Sequence, residues 1–270
     1  AASDVYKRQD VVRDADIIPR AEMRSLIEHL KSRARSFSIL FVVALIIGYP
    51  LAERMISWAA GNGDWRPDGV GIVIIQPLEL ILLKLRISVH IGLGSTMLAL
   101  IFDLAWNGRE IIARGKRTAP KERSVLRLVG VCLASVALAM MGLFYANSIL
   151  IPFLLEYLAA DSISSGLDAT WRIGSWLGFV VGLLTASAIG FQVPLIAFML
   201  IRSDLILAET IIRNRSVLWF SALAIGAFLS PPDPLSMFLV GGPVVVLLEI
   251  AIILERATNS SGGVLHSTVP

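Results

Sequence analysis

Charge and cysteine are both scarce in this chain. Only 17% of its 270 residues are charged, whereas 56% are hydrophobic and the mean hydropathy is +0.74. A soluble core does not absorb so much apolar surface, so the composition excludes a water-soluble protein and predicts a polytopic membrane protein. The single cysteine, Cys132, has no partner in the chain, which excludes intrachain disulfides and cysteine-based metal sites.

Recognisable enzyme signatures are absent as well. Two of the three histidines, His29 and His266, lie outside the apolar runs, and the third, His90, has no nucleophile motif to serve. Residues 61–64 match the Gly-x-Gly-Asp of intramembrane aspartyl proteases by letter, but they lie in a turn-rich segment without a second intramembrane aspartate. No phosphate loop, dinucleotide fingerprint or metal-ligand cluster occurs. We therefore expect no enzymatic activity, no cofactor and no metal.

Apolar runs recur six times, and they indicate an all-α integral membrane protein with six transmembrane helices. The runs are Phe37–Ala52, Ile87–Phe102, Leu128–Leu155, Ile173–Ile201, Ser216–Pro232 and Pro234–Leu248. The second helix is expected to begin near Pro77, because proline is favourable in a first helical turn. The fifth and sixth helices are expected to be short, since residues 217–230 span only about 21 Å as a helix, against a hydrocarbon core of about 30 Å.

Basic residues flank alternate ends of these runs. They precede the first run and fill the connections between the second and third and between the fourth and fifth, whereas the first two outer connections hold only Arg66 and Arg172. The positive-inside rule therefore predicts that both termini are cytoplasmic. Because the basic residues sit in short loops beside spans, they indicate topology and not a nucleic-acid-binding surface. Trp58 and Trp65, in the first outer connection, are expected to be interfacial anchors.

The chain divides into four parts. Residues 1–9 look like a translated sequencing adapter and are expected to be non-native. Residues 10–36 are a cytoplasmic N-terminal segment and residues 37–256 the six-helix membrane domain. Residues 257–270, rich in serine and glycine, are expected to be a disordered cytoplasmic tail. No clean internal repeat is visible, which counts mildly against common transporter architectures.

Several stretches in the last third resemble one protein family. They are Gly190-Phe191-Gln192-Val193-Pro194, Arg213-Asn214-Arg215, Phe228-Leu229-Ser230-Pro231-Pro232-Asp233-Pro234 and Leu248-Glu249-Ile250. In order and spacing they are similar to the second half of TatC, the core of the twin-arginine protein translocase. That family has Phe-Glu/Gln-x-Pro in the fourth helix, Thr/Ser-Pro-Pro-Asp ending the fifth and Glu-Ile late in the sixth. The likeness is weaker upstream, where it rests on Glu28-His29-Leu30, Lys84-Leu85 and Trp106.

The resemblance implies protein transport across the cell membrane. A TatC-like subunit binds twin-arginine signal peptides of folded cargo at the cytoplasmic face, and it assembles as a homo- or hetero-oligomer with single-span TatA and TatB-type subunits. In the family, the proton gradient drives transport. The alternative is a small-solute secondary transporter with six helices, which needs a closed polar pocket near the midplane. The two functions differ in whether Glu122, Gln192 and Glu249 face one side of the bundle.

The resemblance also implies which residues bind the signal peptide. A pair of guanidinium groups is best held by carboxylates at the cytoplasmic face. Glu122 matches the family's glutamate in the first cytoplasmic loop, although a solvated charge among basic residues is an equal alternative from sequence alone. The family's second glutamate falls near Ser32, which cannot pair with arginine as an anion. Glu28 lies one turn earlier on the same helix face, and we hypothesise that it substitutes.

Three features are expected within or beside the membrane. Gln192 replaces the family's frequent glutamate, which disfavours a proton relay there and favours a polar contact facing the concave interior or a partner helix. Glu249 lies near the cytoplasmic end of the sixth helix, where structural and functional roles are equally open. Pro231 and Pro232 stop the fifth helix and form a rigid outer cap, and Asp233 can cap the helix that follows.

Overall fold

The computed structural model of the chain is a bundle of α-helices with one small pair of strands. It describes residues 20–61, 65–67, 69–116, 125–166, 170–202, 214–229 and 234–260. In chain order the elements are α1 (Arg20–Gly61), β1 (Gly71–Val73), α2 (Glu79–Lys116), α3 (Val125–Tyr145), a π-helical turn (Ala146–Leu150), α4 (Ile151–Ser164), β2 (Thr170–Arg172), α5 (Ile173–Gly190), α6 (Val193–Arg202), α7 (Arg215–Leu229) and α8 (Pro234–Ser260). The predominance of helices agrees with the expected class.

Four helical segments are long and apolar enough to cross a membrane. Within the described residues they are Ile27–Gly61, Glu79–Asn107, Val129–Ser164 and Ile173–Met199. They contain the first four apolar runs of the sequence, because in lipid a chain can satisfy its backbone hydrogen bonds only within a helix or a closed barrel. α2 begins two residues after Pro77, close to the expected start.

The last two helices differ in length. α7 has 15 residues and is about 22 Å long, as short as expected. α8 has 27 residues, which corrects the expectation of a short sixth helix. Within its described side chains the apolar part is Met237–Ile253. The helix nevertheless continues to Ser260, into the segment expected to be a disordered tail, because backbone hydrogen bonding does not require apolar side chains.

α5 lies at the centre of the bundle. Half of its most apolar stretch is buried inside the chain, against 17–22% for the other three long segments. Trp176, Leu177 and Leu183 of α5 join one core with side chains of α1, α2 and the π turn. Large apolar side chains remain exposed on the outer faces of α1 and α3, among them Ile46 and Phe144. Such faces are suited to contact with lipid or with other membrane helices.

The third long segment changes its winding near the middle. α3 ends at Tyr145, the π turn follows, and α4 carries Pro152 in its first turn. Proline lacks a backbone N–H, and its ring clashes with the carbonyl four residues earlier in a regular helix. The wider π turn accommodates this defect without ending the helix.

A buried tryptophan and the strand pair close one end of the bundle, where β1 pairs in parallel with β2. Trp65 Nε1 donates a hydrogen bond to Asn147 Oδ1 at 2.9 Å, and the Trp65 carbonyl accepts one from Trp176 Nε1 at 2.9 Å. Trp65 is only 7% exposed, so the expectation that it is an interfacial anchor is wrong. Trp58, which packs edge-on against it, is exposed.

α1 and α2 run antiparallel, and ion pairs fix their register near both ends. Lys84 Nζ lies 3.2 Å from Glu53 Oε2 near the end closed by the strands, here called the strand end. His29 Nε2 lies 2.6 Å from Asp103 Oδ2 near the opposite end, here called the amino end. The strand end and the amino end carry different polar side chains.

Candidate functional site

Four polar side chains meet at the amino end, and we call them the His29 cluster: His29 and Arg33 of α1 with Asp103 and Asn107 of α2. His29 Nε2 is 2.6 Å from Asp103 Oδ2, Arg33 Nε is 3.7 Å from Asp103 Oδ1, and Asn107 Nδ2 donates to Asp103 Oδ1 at 2.9 Å. Asp103 is mostly buried, so its charge is held by these donors more than by water. The cluster ties the start of α1 to the later part of α2.

Asp103 is a residue that sequence reasoning did not select. It directly follows the apolar run that ends at Phe102, and Asn107 lies one turn later on the same helix face. The sequence feature that could have identified Asp103 is its position as an acidic residue at the edge of an apolar run. The pairing with His29 joins residues 74 positions apart, and that required the antiparallel register of α1 and α2.

Glu28, proposed from sequence to replace the missing family glutamate, lies beside the His29 cluster. Its side chain is exposed and makes no hydrogen bond or ion pair with another described residue. Ser32 is also exposed, and its Oγ donates to the carbonyl of His29 in its own helix at 2.7 Å. At the amino end, Glu28 is thus an accessible carboxylate, whereas Asp103 is already paired.

Four of the sequence-selected residues lie outside the described residues. Glu122 belongs to residues 117–124, and Pro231, Pro232 and Asp233 belong to residues 230–233. Only the helices on either side of these two segments are described. Residues 117–124 connect α2 to α3, and residues 230–233 connect α7 to α8.

Gln192 lies in the turn between α5 and α6 and is 1% exposed. Its amide is bonded on both sides to one residue of α3: Ser135 Oγ donates to Gln192 Oε1 at 2.9 Å, and Gln192 Nε2 donates to the Ser135 carbonyl at 3.0 Å. The α3 and α5 backbones approach closely nearby, because a Cβ on Gly142 would lie 2.7 Å from the Ser187 carbonyl oxygen. The polar contact expected of Gln192 is therefore made within the chain.

Glu249 of α8 is bonded to the neighbouring helix α7. Trp219 Nε1 donates to Glu249 Oε1 at 2.9 Å. Gln192 and Glu249 therefore bind different helices, and no hydrogen bond joins the two within the described part of the chain. Glu122 lies outside that part.

The strand end holds a buried carboxylate, Glu79, whose importance the sequence did not reveal. Glu79 is 5% exposed; its Oε2 accepts from the Ile75 amide at 3.1 Å and its Oε1 from the Gly174 amide at 3.0 Å. Arg172 Nε lies 3.4 Å from Glu79 Oε1. The first amides of a helix lack intrahelical acceptors, so Glu79 of α2 caps the start of α5 from another helix.

Among the described side chains, no three His, Cys, Asp or Glu residues group in a way that could hold a metal ion. The amino end holds an exposed carboxylate, Glu28, beside a mostly buried carboxylate, Asp103, that is paired with His29 and Arg33. The chemistry of the strand end is that of helix capping. Neither arrangement includes a nucleophile paired with a base.

Comparison with protein families and with similar proteins points to one family. A family model described as Sec-independent protein translocase protein (TatC) matches residues 25–243. The Sec-independent protein translocase protein TatC of Listeria innocua is 24% identical over 237 residues, which cover 87% of this chain and 92% of the relative. TatCy of Bacillus subtilis is 25% identical over 242 residues, which cover 88% and 91%.

Solved structures show the same fold. A crystal structure of the twin arginine translocase receptor TatC aligns with a TM-score of 0.68 at 22% identity, covering 88% of this chain and 99% of that chain. A second crystal structure of the receptor, in DDM, aligns with a TM-score of 0.64 at 21% identity, covering 86% and 98%. The helical arrangement described above is therefore the fold of these TatC structures.

Proposed function

The chain belongs to the TatC family of Sec-independent protein translocase proteins, and from that premise we propose that it binds twin-arginine signal peptides at the cytoplasmic face of the membrane. The family transports proteins. In our proposal this subunit receives folded cargo through the signal peptide and acts with TatA and TatB-type single-span subunits, in an oligomer driven by the proton gradient. The binding residues are Glu28 and Glu122.

The observation that carries this proposal is the exposed carboxylate of Glu28 at the amino end of α1. A guanidinium group binds a carboxylate through two parallel charge-assisted hydrogen bonds, provided that the carboxylate is not already paired. Glu28 makes no such pair with another described residue. Asp103 is occupied by His29 and Arg33, so an incoming arginine would have to displace them.

Glu122 is proposed as the second carboxylate because of where its segment begins and ends. Residues 117–124 join the end of α2 to the start of α3. The end of α2 is the one that lies at the amino end, beside the His29 cluster. Two carboxylates at one end of the bundle suit a ligand with two adjacent arginines, because each guanidinium can then have its own anion.

The proposed topology has six spans and both termini in the cytoplasm. The amino end then faces the cytoplasm, in agreement with the basic residues Lys31, Arg33 and Arg35 in that part of α1. The four long segments would be the first four spans, α7 the fifth and α8 the sixth. Since α7 is only about 22 Å long, the bilayer beside it would thin or a partner helix would cover the gap.

Glu249 is proposed as a polar contact for a partner helix. Trp219 occupies one of its carboxylate oxygens, and the other has no hydrogen-bond donor among the described residues. Gln192 is less suited to the same role, since its oxygen and its nitrogen are both hydrogen-bonded to Ser135 and its side chain is buried. Between α7 and α8, Pro231 and Pro232 are proposed to form a rigid outer cap, and Asp233 to cap the start of α8.

A small-solute secondary transporter is the function that the geometry favours less. Such a protein needs unsatisfied polar groups around a pocket near the membrane midplane. The buried polar group best suited to line one, Gln192, is bonded to Ser135 through both its oxygen and its nitrogen. We therefore do not propose this second function.

The proposal is tested by charge removal at both carboxylates. Glu28→Gln and Glu122→Gln are each expected to weaken cross-linking of a twin-arginine signal peptide to the protein and to lower export of a folded reporter carrying it. Glu156→Gln is the matched control, because Glu156 is an exposed glutamate on α4, away from the amino end. The role of Glu28 would be wrong if its variant exported normally where Glu122→Gln abolished export.

A further inference from the structure

A charged cavity lies at the strand end between α2 and α5, away from the residues proposed to bind the signal peptide. Its volume is about 250 Å³, and its charged lining side chains are Glu79, Arg86 and Arg172. Gln76 and Ser175 add neutral polar groups to the lining. Two arginines against one glutamate give the cavity a net positive charge.

The glutamate in this cavity is already occupied. One oxygen of Glu79 accepts from the Ile75 amide, and the other accepts from the Gly174 amide and lies 3.4 Å from Arg172 Nε. Glu79 therefore accepts a hydrogen bond from a free amide at the start of α5 and neutralises part of the charge of Arg172. It leaves Arg86 without a carboxylate, since the described residues contain no ion pair or side-chain hydrogen bond for this arginine.

Arg86 lies against a glycine of the neighbouring helix. A Cβ on Gly178 of α5 would collide with Arg86 Nη1 and would lie 3.3 Å from its Cζ, so the guanidinium lies directly against the α5 backbone. By contrast Lys84, two residues earlier, pairs with Glu53 of α1. Arg86 is exposed and lines the cavity, so its charge is accessible to a ligand there.

Arg86 lies close to the end of its helix. It follows Glu79, where α2 begins, by seven residues, so its backbone is about 10 Å along the helix axis from that start. An arginine this close to the end of a membrane helix can extend its side chain toward the headgroup layer. The position of Arg86 therefore suits contact with a lipid phosphate.

The surroundings favour a lipid over a small ion. Leu82 of α2 lines the cavity, and Leu78 and Leu85 lie next to lining residues in the chain; all three leucines are exposed. A soluble anion would gain nothing from these leucines, whereas a lipid can place its phosphate against the guanidinium groups and its acyl chains along the leucines.

We propose that this cavity binds the phosphate group of an anionic membrane lipid, with Arg86 as the principal ligand and Arg172 as the second. Arg86 supplies a guanidinium that has no ion pair among the described residues and lies against Gly178, and the exposed leucines receive the acyl chains. The binding site is separate from Glu28 and Glu122, and it does not depend on which face of the membrane the strand end occupies.

Native mass spectrometry of the purified full chain in detergent tests the proposal. Phosphatidylglycerol should bind, and diacylglycerol with the same acyl chains, which lacks the phosphate, should bind at least about tenfold more weakly. Inorganic phosphate distinguishes the source of the anion, and it should not compete with phosphatidylglycerol at millimolar concentration. Equal binding of the two lipids would mean that the phosphate is not recognised, and the proposal would be wrong.

Two variants assign the binding to Arg86. Arg86→Gln should weaken phosphatidylglycerol binding about tenfold or more, and Gly178→Ala should weaken it with every charge retained, because the new methyl group displaces the guanidinium. Arg66→Gln is the control, since Arg66 is an exposed arginine at the same end. Unchanged binding in both Arg86→Gln and Gly178→Ala, or competition by inorganic phosphate alone at equal strength, would overturn the proposal.

Discussion

Removing the Ser135 hydroxyl should destabilise the protein more than a serine-to-alanine change elsewhere in the membrane helices. Ser135 Oγ donates to Gln192 Oε1 at 2.9 Å, and Gln192 is 1% exposed. Alanine is nearly isosteric with serine, so Ser135→Ala leaves almost no cavity and its effect is polar. The Gln192 oxygen then remains buried without its donor.

The magnitude follows from the cost of an unsatisfied buried acceptor. Such a group costs about 1–3 kcal/mol in folded proteins, whereas polar contacts between membrane helices contribute about 0.6 kcal/mol on average and at most about 1.7. We expect Ser135→Ala to cost about 1–2 kcal/mol, which lowers the midpoint of thermal unfolding by about 2–8 °C in a chain of this size.

Gln192→Leu should cost less, about 1 kcal/mol or below. The Ser135 hydroxyl can then turn to the carbonyl four residues earlier in α3, as Ser88 and Ser95 do in α2. The double variant removes both polar partners and should be no less stable than Ser135→Ala, because no buried acceptor is left without a donor.

Thermal unfolding of the purified variants in detergent measures these differences, with Ser95→Ala as the control. Ser95 is partly buried and bonds only within its own helix, to the Ile91 carbonyl at 2.8 Å. Its loss should change the free energy of unfolding by no more than about 0.5 kcal/mol. The reasoning is refuted if Ser135→Ala is as stable as Ser95→Ala, or if the double variant shows the sum of the two single losses.

Three further changes probe the other polar contacts. Glu79→Gln removes the charge that caps α5 at the Gly174 amide, so the midpoint of thermal unfolding should fall by several degrees; an unchanged midpoint would contradict the trans-helix cap. Trp219→Phe keeps the ring but loses the donor to Glu249, and since this pair is partly exposed the cost should stay below about 1 kcal/mol in the same assay. Asp103→Asn removes the anion of the His29 cluster and should speed amide hydrogen exchange in the first turns of α1, with no matching change at the strand end.

The family and the membrane helices were predictable because lipid leaves a chain few choices. Every backbone polar group in a bilayer must be satisfied internally, so apolar runs become helices, as in the four long segments. The TatC-like stretches 190–194 and 248–250 then identified the family. Membership of the translocase family, a role in protein transport and a multi-pass location in the cell membrane are all confirmed by the family match and the fold.

The partners of the polar residues were not predictable from the sequence. Gln192 was recognised as an intramembrane polar residue, but Ser135 lies 57 residues away and only the packing of α3 against α5 brings the two together. Glu79 and Gly174 are 95 positions apart. A cap supplied by another helix leaves no local pattern of the kind that a capping residue leaves in its own helix.

Two expectations failed because local composition was given too much weight. Trp65 is a residue type common at membrane interfaces, but its hydrogen bonds to Asn147 and to Trp176 of α5 hold it inside the bundle. The apolar run of the last span ends at Leu248, yet α8 continues to Ser260. An apolar run indicates which part of a helix can lie in lipid, but it does not indicate where the helix ends.

Export of a folded reporter most directly tests the central claim that this chain is a TatC-type receptor for twin-arginine signals. The chain would be expressed, with its native TatA and TatB-type partners, in a strain that lacks its own TatC. The account predicts export of a reporter with an Arg-Arg signal and little export of one with Lys-Lys, because lysine cannot form the bidentate pair with a carboxylate. No export of the Arg-Arg reporter, or equal export of both, would contradict it.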